Sequence, residues 1–154
     1  MPGKLKLIGR REYVDFPGLR IEHIEAKIDT GAYTSALHCH DLEVKNVNGK
    51  QTLCFKVLDP LHPEYNEQVH CFTDFFKKTI KSSSGDAEER YIIKTVMRIG
   101  GKRVRTSISL TDRGTMRYPV LIGRKMIKNK FIIDVNRIHT GGLVISKAFP
   151  YLSK

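Results

Sequence analysis

No run in this chain approaches the roughly 18 consecutive apolar residues that a membrane-spanning helix needs, so no membrane partner is expected. The opening MPGKLKLIGRREYVDF has no apolar stretch of the kind a secretory signal carries. Cysteine is scarce: Cys39, Cys54 and Cys71 are an odd count at wide spacing. A disulfide framework is therefore not expected, and a reducing cytoplasm is the expected compartment. No His-Glu-x-x-His occurs, and no Gly-x4-Gly-Lys-Ser/Thr loop, so neither a zinc-peptidase helix nor a nucleotide-phosphate cradle is present and no cofactor is expected. The sequence holds a single Asp-Thr-Gly, which matters below.

What is present is enough to fold. The 154 residues suit one domain, 1–154, and 40% of them are hydrophobic, which is enough for a buried core. Lys and Arg number 27 against 16 Asp and Glu, a net charge of +11. Such a surplus implies an acidic partner: nucleic acid, a membrane surface or an acidic substrate. The charge is uneven. Residues 1–97 carry 14 basic and 14 acidic residues, whereas 98–137 carry 11 basic residues against Asp112 and Asp134. Between residues 92 and 130 the only aromatic is Tyr118, so a base-stacking platform is not evident and nucleic acid is not the expected partner.

Short apolar or alternating runs, divided by Gly, Asn, Pro and Asp, predict an all-β chain. LKLIG (5–9), IEHIEAKID (21–29, with a slip of phase), SALHCHDLEV (35–44), QTLCFKVL (51–58) and EQVHCFTDFF (67–76) read as strands. So do YIIKTVMRIGG (91–101), KRVRTSISL (102–110), YPVLIG (118–123), FIIDV (131–135) and GLVIS (142–146). Asn48-Gly49 and Gly100-Gly101 predict hairpin turns. GRKMIKNK (123–130) predicts one helix of about two turns. DPLHPEYN (59–66) and KSSSGDAEER (81–90) read as loops. Many short strands at this spacing favour a barrel or sandwich.

Ile28-Asp29-Thr30-Gly31-Ala32 ends an apolar strand, and PVLIGRKMI (119–127) later gives a second apolar strand, a glycine and a helix. An Asp-Thr-Gly alone is also an ordinary strand-to-turn junction. The pairing of the two segments resembles the retropepsin-like aspartic proteases. It is closest to the branch labelled "ATP-dependent zinc protease", whose blocks are similar to IGRREYVDFPGL, KIDTGAYTSALH, SSSGDAEERYIIKT and LTDRGTMRYPVLIGRKMI here. These blocks cover most of residues 7–135.

The resemblance implies a small closed barrel of the acid-protease type with one short C-terminal helix. It also implies peptide or amide hydrolysis by paired aspartates. Two carboxylates sharing one proton serve as base toward water and as acid toward the carbonyl oxygen. This chain supplies one such acid, so the expected active unit is a homodimer with Asp29 from each subunit on the two-fold axis. Thr30 and Gly31 would shape the loop. Ala32 offers no hydroxyl to stabilise an ionised carboxylate, so work nearer neutral pH is expected, with Thr34 and Ser35 as partial substitutes. Arg90, Arg113, Arg117 and Arg124 match positions in the family's motifs and are the expected contacts for substrate carboxylates, which Arg grips bidentately. Ala32 and Ser35 are further candidates for substrate binding. Ser83, Ser84 and Gly85 are the candidate flap. Members of the family are associated with ligases that append glutamates, which implies an acidic, glutamate-rich peptide. Two alternatives stay open. One is a non-catalytic binding module for acidic ligands or nucleic acid. The other is a metal-dependent hydrolase using His38 and His40, which share a strand face beside Cys39, with His70-Cys71 from another strand. No metal is otherwise expected.

Overall fold

The computed structural model describes residues 5–81, 85–112 and 117–144. The strands in chain order are β1 (Lys6–Ile8), β2 (Arg11–Phe16), β3 (Ile21–Ile28), β4 (Ser35–Val47), β5 (Lys50–Val57) and β6 (His70–Phe72). Then follow β7 (Phe75–Lys81), β8 (Ala87–Ile99), β9 (Lys102–Thr111), β10 (Val120–Ile122), β11 (Phe131–Ile133) and β12 (Leu143–Val144). Among the described residues the α-helix is a single turn, α1 (Arg124–Ile127), and a 3-10 turn, Pro17–Leu19, links β2 to β3. No helix among them is long and apolar enough to cross a membrane.

The sheet closes. Pairing runs β10-β3-β2-β8-β9-β4, and β10 also pairs with β4, so six strands form a ring. The closing strand lies parallel to β3, with Val120 beside Ala26 and Ile122 beside Ile28, and antiparallel to β4, with Val120 beside Leu37. Closure leaves the ring without a bare edge, the usual liability of a β protein. The thinnest seam, β2 to β8, pairs Asp15 with Arg98. There the Arg98 guanidinium donates to Asp15 Oδ2 through Nη2 at 2.7 Å and Nε at 2.8 Å. β5 and β6 extend the sheet beyond β4, β7 lies along β8, and β11-β1-β12 forms a separate small sheet.

The core is one cluster lining the ring, including Val14, Phe16, Ile24, Leu37, Phe55, Ile93, Met97, Ile108, Val120 and Ile122. Both predicted hairpin turns form. Val47 pairs with Lys50 across Asn48-Gly49, and Ile99 with Lys102 across Gly100-Gly101. All four turn residues have positive φ, between 52° and 82°, as two-residue turns matching strand twist require.

Five features differ from the sequence reading. β2 (Arg11–Phe16) is a strand of the ring where none was expected, because Pro17-Gly18 just beyond it makes the segment VDFPGLR (14–20) read as a turn. The predicted strand 67–76 is two strands, β6 and β7, and β7 runs on to Lys81. Consequently Ala87–Arg90 belong to β8 rather than to a ten-residue loop, and Phe75 to Lys81 pair with Ile93 to Ala87. β7 reads poorly because its Lys-rich residues are mostly exposed on both faces, so no apolar alternation marks it. The predicted two-turn helix is one turn, because Lys128 leaves helical geometry and Asn129 has φ 64°. The phase slip in β3 is a bulge: the register shifts between Val14 and Phe16, and His23 takes φ 55°. Finally, Cys54 and Cys71 sit in register on β5 and β6 and form a disulfide, which corrects the expectation of none. A separation of 17 residues hides a pairing that only the sheet register makes. Cys39 remains free and buried, and burial pushes its thiol pKa up.

If β10 is the closing element, Ile122→Ala should cost about 2–5 kcal/mol by cavity formation. Leu61→Ala, at a position 93% exposed, should change stability by less than about 0.5 kcal/mol. Urea unfolding of the two variants checks the contrast.

Candidate functional site

β3 delivers Asp29 to the barrel rim. The Asp29 N–H donates to Ile122 O at 2.9 Å, the last rung of the parallel β3–β10 ladder. The chain then turns sharply. Ala32 N donates to Asp29 O at 3.2 Å, and Gly31 N donates to Asp29 Oδ1 at 3.0 Å. A Cβ on Gly31 would lie 3.2 Å from Oδ1, so glycine leaves the carboxylate room to lean back over its own turn. One carboxylate oxygen is thereby held by backbone. The half-buried Asp29 is followed by exposed Thr30 and Gly31, so the turn is presented outward.

The turn is laced to the start of α1. Arg124 N donates to Ala32 O and Lys125 N to Tyr33 O, each at 2.9 Å, and Arg124 Nη1 donates to Thr30 O at 2.8 Å. Gly123 N donates to the buried Ser35 Oγ at 3.0 Å. Any side chain at Gly123 would collide with this strap, because a Cβ there would stand 2.5 Å from Tyr33 O. Two distant segments of sequence are thus fused into one rigid support for the Asp29 carboxylate.

A cavity of about 580 Å³ opens beside it, walled by the Asp29–Thr34 turn, the end of β7 (Lys78 to Lys81), Arg90 and Arg124. The walls hold one acid and four cations, Lys78, Lys81, Arg90 and Arg124. Tyr33, 49% exposed, carries Lys78 and Arg124 over its ring at 5.8 and 5.7 Å. Such contacts hold cations without neutralising them. Arg90 Nη2 meets Glu88 Oε2 at 3.3 Å, while its Nε is buried with no hydrogen-bond partner.

The structure therefore gathers Asp29, Gly31, Ala32, Arg90 and Arg124 at one cavity, with Thr30 tied to its edge. Ser35 is buried beneath the loop and bonded to Gly123 rather than lining the cavity. Arg117 stacks on Tyr118, 5.6 Å from the ring centre, away from these walls. Gly85, with φ 89°, lies at the tip of the β7–β8 hairpin. Ser83, Ser84 and Arg113 lie outside the described residues. Thr34, expected as a partial substitute for the hydroxyl that Ala32 lacks, lines the cavity, and so do Tyr33, Lys78, Thr79, Ile80 and Lys81, which were not predicted. A β7 read as the arm opposite Arg90 would have placed the last four.

The histidines form no metal centre among the described residues, where no group of three or more His, Cys, Asp or Glu could hold an ion. Cys71 is bonded to Cys54, His70 packs on Phe55, and His40 Nε2 faces Tyr65 Oη at 3.3 Å. Burial lowers the pKa of His38, against the pull of Asp59 and Asp112. Burial also lowers that of His70, helped by Arg20.

A closed barrel that carries Asp-Thr-Gly on a strand end, under the arm of a β-hairpin, defines the retropepsin-like class of fold. Residues 7–141 match the model of the RimB-like family, described as retropepsin-like aspartic endopeptidase RimB, and the chain belongs to that family. Curated relatives bear a different name, "Probable alpha-L-glutamate ligase". The protein of that name from Shewanella pealeana is 33% identical over 132 residues, 83% of this chain and 28% of its own length. The one from Parasynechococcus marenigrum is 26% identical over 140 residues, 88% of this chain and 29% of its own. The chain thus spans less than a third of the curated relatives it matches. Among solved structures, protein Lpg0085 of Legionella pneumophila, of unknown function, superposes with a TM-score of 0.64. That match is at 22% identity and covers 88% of this chain and 97% of that one, a likeness of fold.

Two outcomes are expected. Ser35→Ala strands the buried Gly123 N–H and should cost about 1–3 kcal/mol, measured by urea unfolding. His38 and His70 have folded pKa values below the ordinary 6.5, so the unfolded chain binds more protons in acid. Their contribution is present above about pH 6.5 and declines as the pH falls below it. Melting temperatures at pH 7.5 and 5.5 should differ less in His38→Gln/His70→Gln than in the wild type.

Proposed function

We propose that this chain is one half of an aspartic peptidase. Two copies pair so that the Asp29 carboxylates meet on a two-fold axis, and the pair hydrolyses peptide or amide bonds in an acidic, glutamate-bearing chain. The observation that carries this reading is the Asp29 carboxylate, fixed at the edge of a cavity whose other charged walls are all cations. Arg90 Nε, buried and without a hydrogen-bond partner, fits a site that a substrate carboxylate completes. The relatives named as glutamate ligases support the same substrate class, because a hydrolase module accompanying such a protein would meet glutamate chains.

In the paired site one carboxylate is ionised and the other protonated, since two at contact distance cannot both carry charge. The ionised one removes a proton from water as the water oxygen bonds to the substrate carbonyl carbon. The protonated one donates to the carbonyl oxygen, giving a neutral diol. The carboxyl that took the water's proton then gives it to the amide nitrogen while the other carboxylate takes a proton from a diol hydroxyl, and the C–N bond breaks to leave a carboxylic acid and an amine. Thr30, exposed at the turn, is placed to bind the opposite loop. Ala32 supplies no hydroxyl to hold the ionised form, which fits work near neutral pH.

Asp29→Asn tests it. Hydrolysis of a glutamate-rich peptide should fall by at least about a hundredfold, the usual scale for loss of a general acid–base group. The melting temperature should stay near wild type, and sedimentation should give a dimer. Undiminished hydrolysis, or a monomer that hydrolyses, overturns the reading. Binding without hydrolysis in both proteins favours the non-catalytic module.

A further inference from the structure

β7, β8 and β9 together present an outward face whose composition is fixed by register. Lys78 pairs with Arg90 on one side of β8. On the other side Lys94 pairs with Ser107, Val96 with Arg105, and Arg98 with Arg103. Cross-strand partners share a face and alternate residues return to it. On that face Ile92, between Arg90 and Lys94, is buried, and the buried Ser107 accepts from Lys125 Nζ at 3.0 Å, while Lys78, Lys94, Arg103 and Arg105 are exposed. Arg98 is occupied by Asp15 and Arg90 by Glu88. Lys94, Arg103 and Arg105 are exposed, and none of the three has an ion pair among the described residues.

Those three cations wall a second cavity of about 460 Å³, together with Phe72, Asp74 and the Pro17–Gly18 turn. The sheet makes the hollow. Away from β9, β8 parts from β7 at Ile93 and meets β2 only at Arg98, and Lys94–Val96 line the gap. Three cations face one carboxylate there, Asp74, at an exposed position. Along β8, Arg90 of the first cavity and Lys94 of the second are four residues apart, about 13 Å at strand rise. Both lie on the same face.

We propose that this second cavity is an exosite for the distal carboxylates of an acidic peptide whose other end occupies the Asp29 cavity. The placement of the cleaved bond rests on the peptidase reading, while the binding itself does not. A peptide extended across this face offers a carboxylate to the same side about every 7 Å, so two such steps span the distance of about 13 Å between Arg90 and Lys94. A chain of four glutamates has same-side carboxylates only one step apart and is too short to serve both cavities, whereas a chain of ten is long enough. Nucleic acid is a weaker fit, because the aromatic wall, Phe72, is half-buried against Phe55 rather than free to stack on a base.

The test uses fluorescein-labelled tetraglutamate and decaglutamate with full-length Asp29→Asn, read by anisotropy at low and physiological salt. Adding Lys94→Ala, Arg103→Ala and Arg105→Ala should weaken decaglutamate binding about tenfold, the sum of three modest ion pairs, and leave tetraglutamate unchanged. Arg103→Lys/Arg105→Lys should retain most of the affinity, and it replaces the alanine comparison if that variant melts early. Equal weakening of both peptides, or of neither, overturns the exosite. So does a single-stranded oligonucleotide that displaces decaglutamate at lower concentration than unlabelled decaglutamate does. In proteins retaining Asp29, loss of the three cations should raise KM for the long peptide and leave kcat. A wild type that binds decaglutamate through these cations yet cleaves nothing sinks the peptidase reading and leaves the exosite standing.

Discussion

Three residues, Val120–Ile122, hold β3 against β4, and the barrel, the Asp29 turn and the cavity all depend on that insertion. Strand pairing has a side-chain period of two, so a slip of one residue would turn Val120 and Ile122 out of the core. It would also break the rung from Asp29 N to Ile122 O. The glycine that follows cannot retreat, because Tyr33 O occupies the place where a Cβ would be. The site is therefore not a loop resting on a scaffold. It is the point where the scaffold closes, and stability and carboxylate position are set by the same contacts.

That coupling explains which parts were legible in sequence. Asn48-Gly49 and Gly100-Gly101 announce themselves because few residues tolerate positive φ at two successive positions. Asp29-Thr30-Gly31 and the apolar strand ending at Gly123 are legible as a pair, since each is a local pattern of strand, turn and small residue. What escaped depends on register. Cys54 meets Cys71, and Lys78 meets Arg90, only once strands are paired, and no local pattern encodes the pairing. Ser35 looked like a substrate group because it follows the motif closely, yet strand alternation turns its hydroxyl inward to Gly123. The helix looked longer than its one turn because Lys and Met are good helix formers, but propensity does not outweigh the turn made at Asn129.

The distribution of charge along the chain is a poor guide to its distribution in the fold. The positive surplus lies in residues 98–137, but the cavity draws on other parts of the chain. In the fold, Arg124 is the cation from that stretch that lines the Asp29 cavity, while Lys78, Lys81 and Arg90 come from the balanced part of the chain. Antiparallel pairing reassigns neighbours: β7 folds its lysines over the Asp29 turn, and β9 carries Arg103 and Arg105 out along the face of β8.

The outcome is two groups of cations rather than one diffuse field. At physiological ionic strength the screening length is about 8 Å, shorter than the step of about 13 Å between Arg90 and Lys94. Each group therefore acts on the carboxylate beside it, and distant charge adds little. A surface of that kind selects for spacing as well as for sign, and it favours a ligand with carboxylates at regular strand-like intervals over one that is merely acidic.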